Sequence, residues 1–464
     1  MRQKMIKGYA IHAVIGLILF FFPVSQTVAA GENPKGKLVL GLQEVIARAI
    51  AQNPDIRAIE SDILSSKYDL EQVKGGYYPQ IDTTAVVGPV TDAKEPLIVD
   101  GRITDPSPGL SFSTIGIFGR LDLTATQPLY TFGKLSNRKD AATHGVRAKE
   151  FQIEDKKAQI VLRTKELYYG LIVAQLGLDS AAEAEDFFRE AENRIRRLLE
   201  LKSSNVTESD LYRIDAYRSE SMRFKEEARK GLRVAYFALK AMMGLPPGID
   251  FEPVEKTLPA QKQDLSALNS YIDSAALQRP EFKQLAEALS AQDAMVKAAI
   301  SDRYPSLFAA FIASLAGAPG RDTLDNPYIR DEFNHAYAGF IAGAKWNIDF
   351  GISKARVEKA RAEYNKLFHT KRSAEMNIPI QVAKSYHDHF EYGEALRFYQ
   401  NAATAARKWV ITAMADFDMG IETADAMLRA IEKYGQTQGS YIEALYKYNL
   451  SMAELELAAG MKTW

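Results

Sequence analysis

Residues 338–350 read AGFIAGAKWNIDF, and the parity of this stretch decides the environment of the fold. Its even positions are Ala338, Phe340, Ala342, Ala344, Trp346, Ile348 and Phe350; between them, Gly343, Lys345, Asn347 and Asp349 are small or polar. A period of two puts the two sets on opposite faces of a β-strand. One greasy and one wet face suits a wall with lipid outside and water inside. Leu121, Leu123 and Ala125 alternate likewise with Arg120, Asp122, Thr124 and Thr126. Trp346 fits an aromatic girdle at a membrane interface. Candidate partner strands lie near 81–87 and 307–316, where alternation is weaker. A soluble, half-buried sheet is the competing reading of the same segments.

These strands recur because the chain carries one plan twice. Pro54 and Pro79 stand 25 residues apart, as do Pro280 and Pro305 at an offset of 226. TFG ending at Gly133 answers DFG ending at Gly351, and Tyr168 answers Tyr386, both at 218. The offset settles at 216, pairing Thr207 with Thr423, Arg213 with Arg429 and Gly244 with Gly460. Units of about two hundred residues are too long for a solenoid repeat. The expected division is a signal segment 1–30, a first repeat 31–262 and a second repeat 263–464.

Each half reads helix, strand, strand, very long helix, tip, helix. Helical spacing spans 42–74 and 265–300, stopped by Gly75, Gly76 and Pro79 and by Pro305. No proline occurs between Gly133 and Pro246, and Lys202-Ser203-Ser204-Asn205 is the strong break within that interval. Val146, Ile153, Ile160 and Leu167 recur every seven residues, as in a coiled-coil seam. The second half divides at Asp418-Met419-Gly420, and Pro379 is expected to kink or break its long helix. At 1.5 Å per residue the long helices reach on the order of 100 Å and the short ones roughly 55 Å. Two short helices end to end match one long one. The result is a rod with strands at one end, tips at the other, and the segment 246–264 at mid-height.

The first thirty residues read as a secretory signal: Arg2, Lys4 and Lys7, an apolar run over 11–22, and small residues at Val28-Ala29-Ala30. Removing these three cations leaves 55 Lys and Arg against 59 Asp and Glu, which argues against a nucleic-acid partner. The sequence has no cysteine, which excludes a disulfide scaffold and a lipid anchor on cysteine. After Phe22 no run reaches 18 apolar residues, so only a closed β-barrel could cross a bilayer. Four strands cannot close, since the smallest such barrels have about eight. Copies must pool their strands: a dimer supplies eight, a trimer twelve, and arithmetic alone does not choose.

The motifs LGLQEVIARAIAQNPDI from Leu40, GGYYPQI from Gly75, QPLYTFG from Gln127 and YNLSMAELELAAG from Tyr448 occur in that order. With the double plan, they make the chain resemble the TolC family of outer-membrane efflux and secretion ducts. The resemblance implies a mainly α protein with a membrane β-barrel, a homotrimer with a twelve-strand barrel and a twelve-helix α-barrel tunnel across the periplasm. It also implies a periplasmic adaptor and an inner-membrane transporter as partners, and a tripartite efflux pump or type I secretion system as the setting. The tips, 203–210 and 417–425, become the narrow entrance where the adaptor docks. Candidates there are Thr207, Glu208, Asp210, Phe417, Met419, Glu422, Thr423, Asp425 and Arg429. Asp210 matches a common tip aspartate, whereas Ala426 and Arg429 stand where relatives often carry acids. Glu422 is expected to repel Asp210, leaving closure to the packing of Phe417 and Met419 more than to ion pairs. Tip charges that merely solvate turns are the plainer reading. Candidates for the barrel lumen are Arg120, Asp122, Lys345, Asn347 and Asp349.

Enzyme chemistry finds no foothold, and no cofactor is implied. His387 and His389, two apart on a helix, point to nearly opposite faces, unlike an i, i+4 zinc pair, so surface or seam positions are expected. No phosphate-cradling loop, nucleophile elbow or cysteine–histidine pair is present. A periplasmic coiled-coil adaptor or scaffold without a pore is the alternative. It explains the helices but not the amphipathic strand pairs.

Overall fold

The computed structural model describes residues 38–92, 98–100, 102–103, 115–260, 264–323 and 330–462. The signal segment lies outside them, as do parts of the segments 91–111, 246–264 and 319–335. In chain order the elements are β1 (Leu38–Leu40), α1 (Leu42–Gln52), α2 (Pro54–Gly75), β2 (Gln80–Thr91), β3 (Ile98–Val99), β4 (Arg102–Ile103), β5 (Ile115–Tyr130), α3 (Lys134–Glu200), α4 (Glu208–Met242) and β6 (Phe251–Pro253). There follow α5 (Leu268–Gln278), α6 (Pro280–Ser301), β7 (Ser306–Gly317), β8 (His335–Lys345), α7 (Ile352–Asp418) and α8 (Ala424–Ala458). The two halves match almost residue for residue. α3 and α7 both have 67 residues, and α4 and α8 both have 35. No described helix is long and apolar enough to cross a membrane.

Where each expected single short helix should run, the structure has two. Asn53 and Arg279 precede prolines and sit at ψ 123° and 127°, outside the helical region. Pro54 and Pro280 then start α2 and α6, because proline's missing N–H is harmless only in the first helical turn. Pro379, by contrast, does not break α7, which runs continuously through it. The lost hydrogen bond is offset by burial of the flanking Ile378 and Val382 in a cluster with Tyr271 and Leu455. Both long helices start from a glycine at positive φ, Gly133 at 90° and Gly351 at 139°, which turns the strand into the helix where a side chain would be strained.

The strands β2-β5-β7-β8 form one antiparallel sheet in that order, with β2 and β8 at its edges. Register aligns Ile81, Ala125, Phe311 and Phe340 in one row on one face. The row three positions along, Thr84, Asp122, Ser314 and Tyr337, lies on the other face. The expected strand over 338–350 is corrected: β8 ends at Lys345, and 346–350 is not strand. At the helical end, the seam residues Val146, Ile153 and Ile160 are buried as the seven-residue spacing requires. Halfway along α3, Tyr168 is buried and donates to the Leu40 carbonyl at 3.1 Å, tying the small β1–β6 sheet to the rod.

Candidate functional site

Two regions hold most of the predicted residues, the polar face of the sheet and the tips. On the polar face, β5 brings Arg120 and Asp122 together, with Nε 3.0 Å from Oδ2. Ser314 of β7 donates to Asp122 at 2.6 Å and lies 2.7 Å from Nε2 of His335 on β8. His335 and Ser314 escaped the sequence reading because their pairing depends on strand register. Lys345 sits at the helix-side end of β8, opposite Ser306. Ten residues of strand, about 34 Å, separate its row from that of Arg120 and His335. Asn347 follows the strand instead of lining it. Asp349 is a helix-terminal residue: its carboxylate accepts from the Ser353 backbone N–H at 2.7 Å and the Gly351 N–H at 3.3 Å. Hydrogen bonds from Ser353 hold that carboxyl below its ordinary range. Asn347 and Asp349 fall outside the sheet because alternation continues past the strand's end at Lys345.

Each tip is a short turn between two helices. Thr207 starts α4 in a capping box with Asp210, whose Oδ2 accepts from the Thr207 N–H at 2.9 Å and hydroxyl at 3.0 Å. Such reciprocal bonds satisfy donors at a helix start. Thr423 caps α8 in the same place, its hydroxyl accepting from the Ala426 N–H at 3.2 Å. Arg213 joins the two tips. Its guanidinium lies 3.5 Å from Asp210 and 2.9 Å from Asp425, and Arg429 holds the other Asp425 oxygen at 2.8 Å. Asp210 thus faces Thr207 and Arg213 rather than Glu422. Glu208 and Glu422 are exposed. Phe417 is 2% exposed, packed in a core with Phe188, Val410 and Ile431, whereas Met419 is 65% exposed. Phe417 therefore glues the hairpins of one chain together, and Met419 makes no such packing.

Comparison with known proteins agrees with this geometry. Residues 271–461 match the family model of outer membrane efflux proteins. The alkaline protease secretion protein AprF of Pseudomonas aeruginosa is 21% identical over 343 residues, covering 73% of this chain and 69% of AprF. The Campylobacter jejuni CmeC outer membrane channel superposes with a TM-score of 0.70 at 16% identity, over 93% of this chain and 90% of CmeC. The open state of the Neisseria gonorrhoeae MtrE channel gives 0.72 at 16% identity, over 90% and 89%. The chain has the fold of these outer-membrane channels.

The second half carries the family match, over residues 271–461, and the first half repeats its elements. Arg213 is the tip residue that the sequence reading left out of the site. The signal was present, since Arg213 and Arg429 are repeat mates, but their shared target Asp425 is 212 residues from Arg213 in sequence. The histidines fall one to each expected class. His387 is exposed, while His389 lies in the α7–α8 seam, stacked on Tyr448 at 4.7 Å with Nδ1 2.9 Å from Ser451. Among the described residues no group of side chains could hold a metal ion.

Proposed function

We propose that three copies of this chain form a passive export duct through the outer membrane and periplasm, serving a tripartite efflux pump or a type I secretion system. The sheet carries the reading. In the single chain its apolar face is bare, with Phe340 85% and Ile81 65% exposed, and its other face carries Arg120, Asp122 and Ser314. Strand edges left open at β2 and β8 invite pairing with further copies. Two copies would make eight strands, whose interior side chains fill. Three make a twelve-strand ring about 24 Å across at the backbone, which leaves room for water.

In this arrangement 1–30 directs export, and the repeats 31–262 and 263–464 each supply two strands and half of a four-helix share of a twelve-helix tunnel. Outer-membrane lipid covers the row of Phe340, and Trp346, bonded through its indole N–H to the Arg303 carbonyl at 3.0 Å, sits at the interface. Arg120 and Asp122 face the lumen. The tips form the periplasmic entrance, with Thr207, Glu208, Met419, Glu422, Thr423, Asp425 and Arg429 presented to a periplasmic adaptor and, through it, an inner-membrane transporter, and the buried Asp210 holding the first turn in shape. Those partners supply energy, and the duct itself performs no chemistry. The test is direct. The mature chain should fractionate with outer membranes as a heat-dissociable trimer and conduct ions in planar bilayers. A detergent-indifferent soluble monomer overturns the proposal.

A further inference from the structure

At the end of the sheet remote from the helices, the two faces differ in a way the strands alone do not explain. Val90, Ser314 and Ala316, on the polar side, are 4–7% exposed, while Val87, Ile117 and Leu315, at the same level on the apolar side, are 59–77% exposed. Part of the β7–β8 connection covers the polar side. Phe333 meets Phe118 edge-on at 4.9 Å, and the Arg321 guanidinium lies 5.1 Å from the Phe333 ring. Arg321 is paired with Asp331 through two contacts of 2.8 and 2.9 Å, and both side chains are nearly buried. Its Nε donates to the Thr91 carbonyl at the end of β2 at 3.2 Å. Glu332 approaches Arg120 on β5 at 3.9 Å, and His335 bonds both the Asp331 carbonyl, at 3.0 Å, and Ser314 on β7. The connection is thus anchored to β2, β5 and the first residue of β8, which in turn bonds β7.

We infer that residues 331–335, pinned by Arg321, form a strap that narrows the outer mouth of the lumen, one per subunit. This rests on the duct reading, because the covered face must be the lumenal one. Charges in the strap are matched, Arg321 with Asp331 and Arg120 with Asp122 and Glu332, so the constriction acts by bulk rather than by charge. Wide cargo passes only when the Arg321–Asp331 latch opens. Burial keeps that latch shut at rest, since separating the pair leaves a charge without a partner in a site poor in water.

The absence of cysteine makes labelling clean. A Gly339→Cys reporter lies on the polar face four residues inward from His335, and a Cβ there meets nothing within 4 Å. Intact cells bearing the full trimer are treated from outside with a small methanethiosulfonate and, separately, with a bulky polyethylene-glycol maleimide. The small reagent should label the reporter. The bulky one should react slowly, and Asp331→Asn should accelerate it about tenfold or more by breaking the latch. Phe333→Ala, which strands no charge, provides the second arm, and only variants recovered as heat-dissociable trimers are compared. No labelling by the small reagent would refute the lumenal assignment and with it the duct. Labelling by the bulky reagent at equal rates in parent and both variants would refute the strap alone.

Discussion

Phe417→Ala separates two roles for the second tip. If Phe417 closes the entrance by reaching into the lumen, truncation should widen the pore and leave each chain's fold intact. The structure predicts otherwise. The ring is 2% exposed inside a core shared by α3, α7 and α8, so its removal costs about 3–5 kcal/mol, the range for a buried Phe→Ala. Because this core lies at the end of 67-residue helices, the loss should stay local and appear as fraying of the tip. Hydrogen exchange on the detergent-solubilised trimer reads it. Peptides spanning the ends of α3 and α7 and the start of α8 should lose protection by roughly a hundred- to several-thousandfold, while mid-height peptides around Tyr168 keep theirs. Met419→Ala, at an exposed position, should change protection little. Unchanged tip exchange in Phe417→Ala, alongside a raised conductance, would refute the assignment of Phe417 to the hairpin core.

Three further outcomes are expected. Arg213→Ala removes the link between tips; with both partners more than a third exposed, stability should fall by no more than about 1 kcal/mol. Single-channel conductance should nonetheless rise, and an unchanged conductance would remove Arg213 from the entrance. Phe340→Arg on the apolar face should cost about 2–4 kcal/mol near the bilayer midplane and deplete trimers from the outer membrane. Thr124→Arg on the opposite face should assemble normally, and equal behaviour of the two would contradict the face assignment. Burial holds the His389 imidazole below its ordinary value of 6.5, so it stays neutral in the fold. The unfolded chain takes up a proton first, so this contribution to stability is lost as pH falls from about 6.5 toward the lowered folded value. Denaturation midpoints measured across that window should slope less in His389→Gln, and parallel slopes would count against it.

Much of the architecture was legible because it is written in local periodicity. The two-residue alternation around Phe340, the seven-residue seam through Val146 and Ile160, and the glycines ending TFG and DFG each follow from what one stretch of backbone can do. Gly133 and Gly351 mark strand-to-helix turns because the turn needs positive φ, a demand met by sequence alone. The misreadings arose where local rules compete. Pro54 and Pro280 split helices, while Pro379 does not, and the difference lies in how the surrounding side chains pack. Parity was carried past Lys345 because alternation continues in residues that have left the sheet.

Residue order thus settled most element types, the tip breaks and the doubling of the plan, since element type follows from local spacing and the doubling from the same marks recurring about 220 residues on. Only the folded arrangement decided that Arg213 meets Asp425, that Phe417 turns inward, and that residues 331–335 cross the polar face. Those contacts join segments far apart in sequence, and they depend on how helices rotate and strands register against each other, which no single stretch encodes.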